Sequence, residues 1–382
     1  MAEMQKPLFS DDTLLECADV TGTEGIKYIG SKRLLIPHIL DLIKPLGVQT
    51  VFDGFAGSTR VSQALAKRGY RVTANDISVW SRVFATCYLR NTQPPSYYAR
   101  IIEHLNGLPG RDGWFTEHYG GEPNDGSAVQ KDGRKRIWQI HNTRKLDAIR
   151  EEIDRVTTDE VERSVLLTSL IIAMDKVDST VGHQVSYLRE WAPRAYLTMK
   201  MTLPQIWRNE QVHEVHQADI FDLLEDVETD LAYFDPPYGS SNEKMPPSRV
   251  RYASYYHLWT TICRNDQPKL VGVANRRADV SDKHGSIFEE FRRGPSGRYL
   301  VIEAIERLVQ STKARYILLS YSNQGRMTTH EMAAMLDSLG KEHKVVEVGY
   351  KANVMEGMRW TNEWIDEARE ATKEFLFLIV NC

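Results

Sequence analysis

No apolar run in this chain of 382 residues is long enough to cross a bilayer, and its first residues, MAEMQKPLFSDD, lack the apolar core of a signal peptide. Cysteine is scarce. Cys17, Cys87, Cys263 and Cys382 lie far apart with no metal-ligand spacing, so neither a disulfide framework nor a metal site is expected, and a reducing, cytoplasmic setting is. Excess positive charge is missing too: the formal net charge is -4, so any nucleic-acid contact must come from a local basic surface. There is no G-x-G-x-x-G and no G-K-[ST], which disfavours a dinucleotide site and a P-loop. Internal repeats and low-complexity tracts are also absent. What is there is the composition of a globular protein, 42% hydrophobic and 26% charged, with enough length for more than one domain.

Residues 1–25 are polar and acidic, with Asp11, Asp12, Glu16, Asp19 and Glu24, and a loose arm is expected. GIKYIGSKRLLIPHILDLI then reads as a glycine-bearing loop and a helix, with Leu34, Leu35, Ile39 and Leu42 at helical spacing and Pro45 at its end. VQTVFD is a buried strand, GFAGST a turn, RVSQALAKRG a helix closed by Gly69, and YRVTANDI the next strand. Strand, glycine turn, helix and strand make a βαβ unit, hence a parallel sheet. After Asn91 turn residues and glycine dominate, followed by the helical stretches LDAIREEIDRV and VERSVLLTSLIIAMDKV. Residues 93–207 therefore read as a mainly helical insertion that splits a sheet domain into 26–92 and 208–382. Strand texture returns at VHEVHQADIFDLL, LAYF and ARYILLSYSN, and HKVVEVGY with EFLFLIVN reads as a terminal antiparallel pair.

The most informative residues are Asp235-Pro236-Pro237-Tyr238, which leave the apolar strand LAYF. The prolines fix φ and donate no N–H, so the turn is stiff and its carbonyls face outward. A carboxylate and a free carbonyl can accept both hydrogens of an amino group, while the tyrosine stacks on a flat ring. This is a shelf for an exocyclic amine on a planar heterocycle. Three other segments are less specific. Asp53-Gly54-Phe55-Ala56-Gly57-Ser58-Thr59 is a small-residue turn after a strand, and Asp76 follows Gly54 by 22 positions, a spacing suited to a ribose hydroxyl acceptor; glycine in such turns also serves packing. Lys32, in KYIGSK, could neutralise an amino-acid carboxylate or simply be a solvated lysine at a helix start. Asp219, in ADIF, could accept from an adenine amino group or cap a helix.

In that order, KYIGSK, FDGFAGST, ANDIS, QADIFD and FDPPY resemble the adenine-specific DNA methyltransferases of the Dam-like (D12) class. YYHLW, ILLSYSNQG and EFLFLI resemble that family's later segments, so the likeness spans most of the chain from about Lys27. Gly54 stands where the family often has proline, Thr59 where a further glycine is common, and Tyr28 in place of a more usual tryptophan. The resemblance implies a Rossmann-like sheet that binds S-adenosyl-L-methionine, with an inserted DNA-recognition domain. On that likeness Lys32 and the backbone around Tyr28 and Gly30 hold the cofactor's methionine end. Asp53, Phe55 and Gly57 wrap its middle, Asp76 takes the ribose, and Asp219 with Ile220 the adenine. Asp235, Pro236, Pro237 and Tyr238 would hold an adenine flipped from duplex DNA.

DNA contact is expected from the basic run Lys131, Arg134, Lys135, Arg136, Arg144 and Lys145, interleaved with Trp138, His141 and Asn142. A solvated basic loop is the alternative. Arg249 and Arg251 follow the shelf and could touch the backbone of the extruded strand. His183, Gln184 and Tyr187 could face DNA or close the insertion. No cysteine follows a proline, so carbon-5 cytosine chemistry is not suggested. A cytosine-N4 or RNA methyltransferase, or a DNA-binding relative without turnover, are the rival readings. A separate restriction endonuclease would be compatible as a partner, and neither a metal nor a membrane is expected.

Overall fold

The computed structural model describes residues 22–238, 252–280, 286–290, 292–349 and 373–381. Seven strands form the central sheet: β1 (Thr50–Asp53), β2 (Arg71–Asn75), β3 (Glu214–His216), β4 (Leu231–Phe234), β5 (Tyr316–Ser322), β6 (His343–Gly349) and β7 (Lys373–Val380). Their order is β6-β7-β5-β4-β1-β2-β3. Neighbours are parallel except at β7, which runs antiparallel to both β5 and β6. The terminal antiparallel pair read from the sequence is therefore present, with β7 as an inner strand.

Alternation along the strands feeds two cores. Val51, Leu231, Tyr233 and Leu318 point to one face, where they meet helices α1 (Ile36–Ile43) and α2 (Arg60–Lys67). Phe52, Ala232, Phe234, Ile317 and Leu319 point to the other, beneath α9 (Leu300–Ser311) and α10 (Thr329–Ser338). Helices on both faces explain why the inner strands read as continuous apolar runs. Between them in the chain lie α3 (Val79–Leu89), α4 (Pro95–Gly107), α5 (Trp114–Tyr119), α6 (Ile140–Val156), α7 (Glu160–Lys176) and α8 (His257–Arg264). The molecule is thus a mixed α/β protein with a mainly parallel sheet, as methyltransferase folds are.

Residues 93–207 carry α4 to α7 with long irregular stretches between and after them, and their core is not separate. Tyr98, Trp138, Leu146, Leu167 and Ile171 join Trp80 and Phe84 of α3 and Trp259 and Ile262 of α8 in one buried cluster. Helix α7 is buried on all sides from Ser164 to Asp175 because it packs between α3 and α6. Residues 22–25, assigned to a loose arm by composition, are tied down: Thr23 is buried against Arg60, and Glu24 accepts from the Tyr88 hydroxyl and the Gln205 amide.

The chain leaves β1 for β2 on one side, while β4 lies on the other. That reversal makes the crevice at the C-terminal ends of β1 and β4 the place where open α/β sheets bind ligands. Because β7 runs the opposite way, its first residues reach the same edge.

Candidate active site

One cavity of about 380 Å³ opens at this crevice. It brings together every residue read from the sequence as cofactor-binding or catalytic: Tyr28, Gly30, Lys32, Asp53, Phe55, Gly57, Asp76, Asp219, Ile220 and Asp235 to Tyr238. Segments separated by more than 200 positions in the chain converge because the sheet puts the ends of β1, β2 and β4 side by side.

The β1 turn is rigid for local reasons. Asp76 accepts from the backbone N–H of Gly57 and of Ser78, each at 2.8 Å, and so closes the turn. Asn75 adds a clamp: its amide donates to Gly54 O and Ala218 O, and its oxygen accepts from the Ala218 N–H. Gly54 is fixed by packing, since a Cβ there would lie 2.7 Å from the Phe234 ring and 2.9 Å from Ile220 Cδ1; a proline has no room. Thr59 opens α2 at a φ of 63°, the left-handed region that glycine enters more easily. Of the three departures from the family pattern, Gly54 thus has a local account and Thr59 a local strain.

Charges in the cavity are tightly buried. Asp53 accepts from the Ser62 hydroxyl at 2.5 Å, while its Oδ1 has no hydrogen-bond partner among the described residues. Burial pushes its carboxyl up from 3.8 to about 7 against the Ser62 bond. Burial likewise raises Asp76, despite its backbone donors. Asp219 accepts from the Phe221 N–H at 2.9 Å, so the capping alternative holds, and it lines the cavity as well.

Lys32 is engaged within the shelf. Its ammonium reaches Asp235 Oδ1 at 3.1 Å, Glu374 Oε1 at 3.3 Å and the Tyr238 hydroxyl at 3.3 Å. Those partners match its three N–H donors, which ties Lys32 to the shelf as well as to the cavity expected to take the cofactor's methionine end. Burial opposes its charge, but Asp235 and Glu374 outweigh burial and hold its pKa well above the ordinary value. Burial pushes Asp235 up to about 7; Lys32 pulls it down and Glu374 pushes it further up. The Tyr238 hydroxyl donates to Glu374 Oε1 at 2.8 Å. Glu374, at the head of β7, was not foreseen from the sequence. Tyr28 completes one wall, with its ring 4.7 Å from Tyr256 and 5.6 Å from both Trp80 and Tyr252. Phe55 meets Phe288 edge-on at 5.3 Å.

The basic run is far less free than its sequence suggests. Asn142 is fully buried and bridges Leu197 O and the Met199 N–H, so it faces the protein interior and cannot read a base edge. Lys145 donates to Asn106 O and Leu108 O, at the end of α4. Lys135 donates to Tyr187 O, and Arg134 to Asn275 Oδ1. Arg136 pairs with Asp132, and Arg144 with Asp112, each at 2.7 Å. Trp138 is core. His183 stacks on Tyr255 with ring centres 4.6 Å apart, Gln184 accepts from the Leu258 N–H, and the Tyr187 hydroxyl donates to Ala274 O, so these three close the insertion against the segment after the shelf. Arg249 and Arg251 lie outside the described residues. Among the described residues no group of His, Cys, Asp and Glu could hold a metal ion, and no helix is long and apolar enough to cross a membrane.

Known proteins similar to this chain identify its family. Modification methylase StsI of Streptococcus sanguinis is 28% identical over 81% of this chain and 46% of its own length. Type II methyltransferase M.NlaIII of Neisseria lactamica is 24% identical over 85% of this chain and 92% of its own. Type II methyltransferase M2.HphI of Haemophilus parahaemolyticus is 25% identical over 93% and 97%. The chain therefore spans about half the length of StsI and nearly all of the other two. A family model matches residues 28–293, from the Tyr28 loop through the shelf and beyond. The chain belongs to the D12 class N6 adenine-specific DNA methyltransferase family.

Proposed function

We propose that this chain is a site-specific DNA adenine-N6 methyltransferase that uses S-adenosyl-L-methionine and acts on an adenine turned out of duplex DNA. One observation carries the proposal: Asp235-Pro236-Pro237-Tyr238 leaves β4 at the sheet's switch point and shares a cavity with the β1 turn. The cavity suits a cationic methyl donor chemically, because Asp53 Oδ1 and Glu374 Oε2 are buried acceptors without a donor among the described residues. When bound, that cofactor supplies a methyl carbon on a sulfonium: the amino nitrogen's lone pair forms the new N–C bond, the C–S pair returns to sulfur, and one N–H proton must leave.

The protein's part is placement and charge. Tyr28 and Gly30 would flank the cofactor's methionine end, with Asp53 facing its ammonium. Phe55 and Gly57 would line its middle, Asp76 would use its remaining lone pairs on the ribose hydroxyls, and Asp219 with Ile220 would border the adenine. On the shelf, the Tyr238 ring offers a stacking face. Asp235 and the Pro236 carbonyl would accept the two amino hydrogens, aiming the nitrogen's lone pair away from the base plane. The amine is engaged in pairing within a duplex, so the base must be extruded to reach them.

Residues 93–207 would serve as the recognition unit, resting on the same core as α3 and α8 rather than as a free module. Arg134, Lys135, Arg136 and Arg144 are its candidates for phosphate contact, joined by Arg249 and Arg251; the exposed ion pair of Arg144 with Asp112 is weak enough to be exchanged for a phosphate. StsI, M.NlaIII and M2.HphI carry modification-methylase or type II names, which supports a partner restriction endonuclease of separate chain.

Single-molecule sequencing of DNA from cells expressing the chain tests the proposal against Asp235→Ala. Methylated adenine in one short motif, absent from the variant, is expected, with S-adenosyl-L-methionine binding retained by Asp235→Ala. Methylcytosine in its place, or no mark on DNA, would refute the adenine assignment.

A further inference from the structure

We propose that Glu374 is a positioning residue for methyl transfer: it anchors Tyr238 and shares Lys32, so that Asp235 can take the proton the amino nitrogen sheds. The inference rests on the adenine-methyltransferase reading and goes one step past it. Glu374 is the sole charge in the strand segment EFLFLIV. It is 2% exposed, and Oε1 accepts from both the Tyr238 hydroxyl at 2.8 Å and Lys32 at 3.3 Å, while Oε2 has no partner among the described residues. A buried carboxylate so poorly satisfied is costly. Lys32 needs only one counter-charge for a neutral pair, and Asp235 at 3.1 Å already supplies it. Glu374 therefore sets a second carboxylate against a single ammonium in the cavity.

That charge has a use when protons are followed. Methylation leaves the amino nitrogen cationic. The nitrogen keeps the electron pair of one N–H bond, and a lone pair on Asp235 takes the proton, turning the carboxylate into a neutral acid. Lys32 and Glu374 then remain as a neutral pair, so no unbalanced charge is left in the buried cluster. Without Glu374, Lys32 would belong to Asp235 alone, hold it as a carboxylate, and weaken it as a proton acceptor. The Tyr238 hydroxyl would also lose its 2.8 Å bond to the Glu374 carboxylate. The groups facing Asp235 are Lys32 and Tyr28 from the N-terminal loop, Asp53 from β1, Tyr233 from its own strand, Tyr252 after the shelf, and Glu374 from β7. Besides Asp235, the groups among them that are not tyrosines are Lys32, Asp53 and Glu374, and Glu374 is the one tied to both Lys32 and Tyr238.

Two readouts on Glu374→Gln test this. In cofactor-free protein labelled with carboxyl-13C aspartate, with the Asp235 signal assigned by its loss in Asp235→Asn, the wild-type midpoint lies at about 7 and moves to lower pH in Glu374→Gln. In single turnover on duplex DNA, the variant's rising pH limb moves the same way and its plateau falls at least about tenfold. Glu374→Asp, which keeps the charge, restores the wild-type limb. If Glu374→Gln does not fold, Glu374→Ala, which leaves room for water beside Lys32, carries the same expectations. An unmoved midpoint, or a moved midpoint with unchanged single-turnover rates, overturns the inference while wild type still methylates adenine. Wild type that makes no N6-methyladenine overturns the underlying activity instead, whatever the titration shows.

Discussion

Asp53→Asn is predicted to stabilise the cofactor-free protein near pH 8 and to change it little near pH 4. Asp53 is 1% exposed, so its charge lies in a medium that solvates it poorly. Burial lifts its carboxyl from 3.8 to about 7; the Ser62 hydroxyl offsets only part of this, and the nearby Asp76 adds to it. Between those values the native state binds a proton that the unfolded chain has released, so stability falls as pH rises through the window, and the whole penalty is present above it. A rise of ~3 units corresponds to a ceiling of ~4 kcal/mol. Asparagine resembles the protonated acid: its oxygen can keep the Ser62 bond, and its N–H takes the place of the orphaned Oδ1. The gain should therefore be small near pH 4 and approach that ceiling near pH 8. Asp235 is raised as well, in part by Asp53 itself, so removing the Asp53 charge also eases the penalty on Asp235 and acts in the same direction. Urea denaturation of both proteins at the two pH values measures the difference. A gain of equal size at both, or none near pH 8, would refute the assignment of the penalty to this buried charge. The same charge is expected to serve the cofactor's ammonium, so binding of S-adenosyl-L-methionine to wild type should tighten from about pH 5 to about pH 8. In Asp53→Asn it should be weaker and nearly independent of pH, as calorimetry would show.

Three further outcomes are expected. Gly54→Ala drives a methyl group into the Phe234 ring and Ile220 and should lose about 1–3 kcal/mol; Phe234→Leu in the same chain should recover part of it, and thermal melts in which the pair is simply additive would contradict the packing account. Asn142→Ala leaves Leu197 O and the Met199 N–H without their partner and should cost about 1–3 kcal/mol in urea unfolding. DNA affinity and its salt dependence should stay as in wild type, whereas a base-reading asparagine would lose affinity at constant stability. Arg134→Ala with Arg144→Ala removes the bond to Asn275 and the exposed ion pair with Asp112 and should alter stability by no more than about 0.5 kcal/mol for each surface change. The slope of log affinity against log salt should become shallower by about 0.9 for each phosphate left unneutralised; an unchanged slope would remove these arginines from the DNA surface.

The sheet was legible because its signals are local. VQTVFD, GFAGST and the helix after it form one turn of a βαβ unit, and alternation in those strands needs no knowledge of distant residues. The shelf was legible for the same reason, as four consecutive residues with a stiff backbone. Helix α3 was not: nine of its residues are buried, so it has no polar face from which a helical period could be read. Helix α10 carried a signal that was passed over, the capping box of Thr328 and Glu331. The insertion misled in an instructive way. Much of it has no strand ladder to satisfy its carbonyls, so Lys135, Lys145 and Asn142 satisfy them from side chains. In the sequence such residues look like a surface made for phosphates.

Glu374 and Lys32 show the harder limit. A glutamate at the head of an apolar strand has no local mark of function, and nothing within β7 says which end of the sheet it will reach. Its place is decided by direction: paired antiparallel to β5, with Glu374 opposite Ser322, β7 begins where the parallel strands end. Run parallel to its neighbours, the same strand would carry Glu374 to the far edge, and Lys32 would have Asp235 as its only carboxylate. The charge balance of the methyl-transfer shelf is thus set by one strand's polarity, a property of the whole sheet that Glu374→Gln can probe and residue spacing cannot reveal.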